Sequence, residues 1–236
     1  MSLDRHNVRS LLLLCWSVFL LWMWLTGETA RYLGPRTQWL VPFGAVALGV
    51  AALAHARAPA SVPARLGAGE VVGLVALTVP MLAGLLLAHT QLGALAASKK
   101  LTARGIDPTA LAQLAANRSS GGDFAKVQVA SHNPKFAAQS GIKPGRDLRL
   151  EGFVMDRPKR GGAPFRLARF YIYCCVADAV PIDVTVEPAD PHAAGYKRDD
   201  WLTVSGELVR RGKELRLRGT RIQRAHAPKH PYLWFS

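Results

Sequence analysis

Hydrophobic positions along this chain follow two different rhythms. Three continuous apolar runs come first: LLLLCWSVFLLWMWLT at Leu11–Thr26, WLVPFGAVALGVAALAHA at Trp39–Ala56, and VVGLVALTVPMLAGLLLAHTQLGALAA at Val71–Ala97. A bilayer core takes about 20 apolar residues in a helix, within a range of about 17–25. The third run is long enough and the second adequate; the first needs Val8 and a snorkelling Arg9 to reach the interfaces. Trp16, Trp22, Trp24 and Trp39 fit an interfacial aromatic belt, and Pro80 sits mid-span, where a kink is expected. The first run also has the charged start of a signal peptide, with Arg5 and Arg9. Glu28 at the −3 position for a cut after Ala30 makes a poor cleavage site, so three spans are expected.

From about Phe124 onwards the spacing becomes period two with turn punctuation, the pattern of β structure. In DLRLEGFVMD, Leu148, Leu150 and Val154 alternate with Arg149 and Glu151. After the loop Arg157–Gly162 comes FRLARFYIYCCV, then VPIDVTVE, where Ile182, Val184 and Val186 alternate with Asp183, Thr185 and Glu187. The turn-rich PADPHAAGYKRDD leads to WLTVSGELVRR, and Arg211-Gly212-Lys213 turns the chain into ELRLRGTRIQR. Five strands are predicted, and Val127–Ala130 is a candidate for a short extra one. A glycine in the first strand and a long third-to-fourth connection point to a small OB-like barrel, with an open antiparallel sandwich as the alternative. The expected fold class is therefore an α-helical membrane region of three transmembrane helices plus an all-β C-terminal domain.

The expected division is a membrane region at 1–98, with spans at about 11–26, 39–56 and 71–95. A connector at 99–123 and a β domain at 124–236 follow. In the connector, Asp107-Pro108 is a plausible helix start and LAQLAA a short amphipathic turn, broken by Asn117–Gly122.

Charge sharpens this division. The chain carries a formal +14. Residues 1–98 hold six Lys/Arg against three acids; residues 99–236 hold 24 against 13, a surplus of +11. Positive charge does not choose the orientation. Arg5, Arg9, Arg57 and Arg65 flank one side, while Arg31, Arg36, Lys99, Lys100 and Arg104 flank the other. A basic barrel also raises nucleic acid or anionic lipid as ligands, with Arg166, Arg169, Tyr171, Tyr173, Arg216 and Arg218 as the surface that would bind them.

Three cysteines are present. Cys15 lies in the first apolar run; Cys174 and Cys175 are adjacent in RFYIYCCVADAVP. If 169–176 is extended, Phe170, Ile172, Cys174 and Val176 share one face and Arg169, Tyr171, Tyr173 and Cys175 the other. Cys174 then reads as a small core residue and Cys175 as the accessible thiol. A vicinal disulfide demands distorted local geometry. A metal site would join Cys175 and Asp178 to some of His132, His192, His226 and His230, a donor set that suits zinc. Asp178, just before Ala179-Val180-Pro181, also reads as a turn-shaping residue. No nucleophile–base–orienter set is legible, so the chain is not expected to be an enzyme.

The stretch RFYIYCCVADAVPIDVTV, followed by DDWLTVSGEL, resembles a bacterial family of uncharacterised membrane proteins described as subunits of a two-component permease complex. The family pattern is Arg-Phe-x-x-x-Cys-Cys-x-Ala-Asp-Ala-x-Pro. Here Arg169, Phe170, Cys174, Cys175, Ala177, Asp178, Ala179 and Pro181 occupy those positions. LEGFVMD is similar to the family's preceding strand, and Val79-Pro80 with Leu92-Gly93 to its last span. The resemblance implies a multi-pass cell-membrane protein with an extracytoplasmic C-terminal domain and a separately encoded multi-span permease as partner. It also implies a link to metal, with zinc as the candidate cofactor. Where some members carry a histidine-rich loop between the second and third spans, ARAPASVPARLGAGE has only His55 at its edge. The expectation is an integral-membrane accessory subunit, with a membrane-tethered barrel binding nucleic acid or anionic lipid as the alternative. An outward-facing domain would seldom meet nucleic acid.

Overall fold

The computed structural model describes residues 5–58, 67–86, 92–103, 122–156, 158, 162–191 and 195–234. The chain forms two compact units, Met1–Thr90 and Gln91–Ser236.

The first unit contains α1 (Arg5–Leu25), a 3-10 turn (Glu28–Arg31), α2 (Leu40–Arg57) and α3 (Ala68–Leu86). All three α-helices are long and apolar enough to cross a membrane. At 1.5 Å per residue each approaches the roughly 30 Å of a hydrocarbon core. Their charged residues, Arg5, Arg9, Arg57 and Glu70, stand in the first turns of α1, the last turn of α2 and the first turn of α3. Arg9 pairs with Glu70 at 2.9 Å. Small residues bring the helices close. Ser17 Oγ donates to the Ala45 carbonyl at 2.7 Å, and a Cβ at Gly84 would stand 2.9 Å from the Phe19 ring. Leu11, Val18, Phe43, Val46, Val50, Val72, Val79 and Leu86 remain exposed. Such a surface is stable in lipid and unstable in water.

The second unit is a closed barrel. Its strands are β1 (Asp147–Val154), β2 (Phe165–Tyr171), β3 (Val180–Pro188), β4 (Trp201–Arg211) and β5 (Glu214–Arg224), with a short β6 (Tyr232–Leu233). β1 pairs with β4, β4 with β5, and β2 with β3, all antiparallel, while β5 runs parallel to β3. Closure comes from β2 returning to β1 through Phe153↔Ala168 and Val154↔Leu167. This is the pairing order of an OB-like barrel. Gly152 permits the closure, because a Cβ there would stand 2.6 Å from the Ala168 carbonyl oxygen. At Gly206, where the β4–β5 register shifts, a side chain would collide with the Arg218 carbonyl.

Alternation sends Leu148, Leu150, Ile182, Val184, Val186, Leu215 and Leu217 into the barrel, as the sequence pattern predicts. Residues 122–132, with the proposed extra strand at Val127–Ala130, instead form helix α5 (Gly122–His132). Its Phe124, Ala125, Val127 and Ala130 join the barrel core. These apolar positions suit either period over so short a run, and packing across the barrel decides for helix. A helix of about two turns, α6 (Pro134–Ser140), follows, N-capped by Asn133, whose side chain accepts from the Phe136 N–H at 3.1 Å.

A second hydrophobic cluster lies apart from the barrel core. Phe153, Met155, Ala168, Phe170, Ile172, Ala179 and Tyr232 pack there with Ala94 and Ala97 of α4 (Ala94–Ala103). The third span, expected to run to about 95, is followed as helix to Leu86, and Leu92, Ala94, Ala96 and Ala97 pack in this cluster with residues of the barrel. Backbone bonds dock the start of this segment: the Leu92 N–H donates to the Tyr232 hydroxyl at 3.2 Å, and the Ala94 N–H donates to the Asp199 carboxylate. The expected features at Asp107-Pro108, LAQLAA, Arg157, Lys159, Arg160 and His192 lie outside the described residues.

Candidate functional site

β2 ends at Tyr171, two residues before Tyr173 turns outward, so the run 169–176 is not one strand. This overturns the expected face assignment. Tyr171 packs in the barrel core, Phe170 and Ile172 in the second cluster, and Cys174 and Cys175 are both half-buried in a turn. Neither sulfur fills the barrel. The strand stops because its next residues have a stronger local partner than a neighbouring strand.

That partner is Asp178. Its Oδ1 accepts from the Tyr173 N–H at 2.9 Å, and its Oδ2 from the N–H groups of Cys174 at 2.8 Å and Cys175 at 3.1 Å. Cys175, fully extended, N-caps a 3-10 turn at Val176–Asp178; its sulfur accepts from the Asp178 N–H, completing a reciprocal cap. Asp178 thus shapes the turn, as the sequence suggested, and it does so by gathering three backbone donors. It also accepts from the Cys174 thiol, Sγ to Oδ2 at 2.7 Å.

A second lock closes the turn from below. Lys100 on α4 aims its ammonium at three carbonyl oxygens: Ala179 at 2.7 Å, Ala177 at 3.1 Å and Val176 at 3.5 Å. An ammonium has three donors and no acceptor, so it satisfies carbonyls that the short 3-10 turn leaves over. Ala179 is buried against the second cluster, which leaves room for only a small side chain. In the sequence Lys100 shows only as one of the charges flanking a span. Its distance from the cysteine pair, 74 residues along the chain, left no local signal of this contact.

The carboxylate pushes the Cys174 thiol up to about 11, through the hydrogen bond first, then desolvation and the neighbouring Cys175. Desolvation alone would raise Asp178, but its bonds from the Cys174 thiol and the three backbone amides outweigh this and hold it below the ordinary carboxylate value. At neutral pH the pair is therefore a thiol beside a carboxylate. Cys174 is not a ready nucleophile.

The remaining motif residues support the turn. Phe170 stacks on Phe153 at 5.5 Å and meets Tyr232 edge-on at 6.4 Å. Pro181 lies opposite Phe170 on β3. Arg169 is buried, a correction to its expected place on a ligand-binding surface. It donates to the carbonyls of His230 at 2.9 Å and Pro231 at 3.2 Å, and stands over Trp201 at 5.6 Å. Desolvation lowers its pKa, an effect partly offset by Glu151. Its task is to pin the segment leading into β6.

Of the other residues expected on a nucleic-acid or lipid surface, Tyr173 is exposed. Tyr171 is buried; Arg166 pairs with Asp156, and Arg216 pairs with Glu187 and Glu214.

Among the described residues, Cys174, Cys175 and Asp178 form the group of donors able to hold a metal ion, with ligand atoms all within 4.8 Å of one another. His226 and His230 do not join them: His230 packs edge-on against Trp234. The side chains of His132 and His192 lie outside the described residues. The donors present fit zinc in kind, two sulfurs and a carboxylate oxygen.

No curated protein and no solved structure matches the chain. Residues 141–235, the barrel with the cysteine turn inside it, match the family described as the DUF1980 C-terminal domain.

Proposed function

We propose that this chain is an integral-membrane accessory subunit of a permease complex, with its barrel on the extracytoplasmic side. The carrying observation is the first unit itself. Its three membrane-length helices bury few of their side chains within the chain, and α3 buries none. Charges are confined to helix ends, so these helices offer no ion path of their own. Helices of this kind serve as anchors and as packing surfaces for other membrane helices. Gly73 on α3 has nothing within 4 Å of where a Cβ would be, which leaves a place for close approach by a partner. The second unit adds a small water-facing module that carries, among the described residues, a fixed pair of thiols beside a carboxylate.

The test is co-purification. A tagged full-length chain, extracted in mild detergent, is expected to bring down one multi-span membrane protein in fixed ratio. Recovery of the chain alone under several mild detergents would overturn the reading. A membrane-impermeant maleimide applied to intact cells, with prior reduction, is expected to label Cys174 or Cys175 and spare Cys15. Labelling only after lysis would place the barrel on the cytoplasmic side.

A further inference from the structure

We infer that Cys174, Cys175 and Asp178 bind one zinc-class divalent cation in an exchangeable site, with the fourth coordination position open to solvent or to a donor from a partner.

The donors are already assembled. Zinc takes sulfur at about 2.3 Å and carboxylate oxygen at about 2.0–2.2 Å, which sets tetrahedral donors about 3.5–3.8 Å apart. Donor atoms that lie within 4.8 Å of one another are already close to this spacing. The backbone that carries them is held in place, because Asp178 pins three of its amides and Lys100 three of its carbonyls. Asp178 Oδ1 accepts an amide bond from Tyr173, and a carboxylate oxygen has a second lone pair to offer. When the Cys174 proton leaves, the Oδ2 acceptor it used is released as well.

Donor chemistry selects the class of ion. Two thiolates exclude magnesium and calcium, which take oxygen, while a carboxylate in the set favours zinc over copper(I), which takes sulfur alone. On binding, each cysteine thiol gives its proton to solvent and its sulfur lone pair to the cation; no redox partner is required. The complex then carries a net charge of about −1, close to the Lys100 ammonium.

Three protein donors and half-buried positions make this a site from which the ion can be passed on, in contrast to a closed four-ligand structural site. Beside the opening stands Tyr173, 56% exposed. Among the described residues from 122 onwards it is the large hydrophobic side chain left facing solvent, so it supplies the contact surface for whatever approaches the ion. The destination of the cation rests on the permease reading; binding does not.

The test uses purified full-length chain in detergent, with no partner and with a phosphine reductant. Cobalt(II) is titrated and followed by the sulfur-to-cobalt charge-transfer band, then displaced with zinc(II). One cobalt per chain is expected, with a band lost in Cys174→Ser and in Cys175→Ser, affinity reduced at least about tenfold in Asp178→Asn, and binding unchanged in Cys15→Ser. Parent protein without the band, or a band that persists in both serine variants, would overturn the assignment. Thermal unfolding of the serine variants separates loss of ligand from loss of fold: an unaltered apo midpoint is expected, with the zinc-induced rise seen only in the parent. Because no partner is present, failure here leaves the co-purification result standing, and the reverse holds equally.

Discussion

Replacing Asp178 by Asn tests the logic of the cysteine turn most directly. The substitution keeps the shape of the side chain and removes its charge. Asp178 is the first cause of the raised Cys174 thiol, which stands at about 11. Desolvation and the neighbouring Cys175 also raise this thiol, so loss of the carboxylate should lower it part of the way towards the ordinary cysteine value near 8.5. At a fixed pH below both values, the thiolate fraction then rises about tenfold for each pH unit of that fall. Nucleophilicity falls as the pKa falls, with a coefficient of about 0.4–0.5, which trims the gain in alkylation rate to about threefold for each such unit. The assay is iodoacetamide labelling across a pH series in the presence of a metal chelator. Tandem mass spectrometry then assigns the label to residue 174 or 175. The parent should show a midpoint near 11 at Cys174 and the variant a clearly lower one, still above the ordinary 8.5. A parent midpoint near 8.5, or a variant midpoint unmoved from 11, would refute the claim that the carboxylate governs this thiol.

Three further outcomes follow from packing and charge. Phe170→Ala removes the ring stacked on Phe153 in the second cluster and should cost about 3–5 kcal/mol, read by chemical denaturation of the barrel unit; a loss below about 1 kcal/mol would show that this cluster is not well packed. Gly206→Ala drives a Cβ into the Arg218 carbonyl at the β4–β5 shift and should cost at least about 1–3 kcal/mol, whereas Ala at Gly69, with open space around it, should change little. Burial raises the Asp183 pKa despite the opposing pull of Arg166. A raised carboxyl favours folding while protonated, and that contribution fades as pH climbs through its folded value. Asp183→Asn should therefore melt higher than the parent at pH 7 and lose its advantage below about pH 4; a lower melting temperature at pH 7 would contradict the argument.

Much of the architecture was legible because period and length are local properties. The apolar runs at 11–26, 39–56 and 71–97 and the alternation at Leu148–Val154 and Ile182–Val186 each declare an element from a handful of neighbouring residues. The Cys-Cys-x-Ala-Asp-Ala pattern was visible for the same reason: Asp178 reaches the amides of residues three to five positions before it. The sequence could not reveal which positions become covered from outside the strand. Phe153, Val154 and Met155 are buried in succession, on both faces, because α4 and β6 pack against one side and the barrel closes on the other. That double burial hid the end of β2, made Arg169 look exposed and placed Cys174 in a core it does not enter. Lys100 belongs to the same category, since a cation 74 residues away finds its three carbonyls only after the helix has docked. Residue order along the chain determined the membrane-length helices, the barrel and the thiol–carboxylate turn. Tertiary packing decided which face of each strand meets water and what holds that turn in place, because burial depends on partners that are distant in sequence.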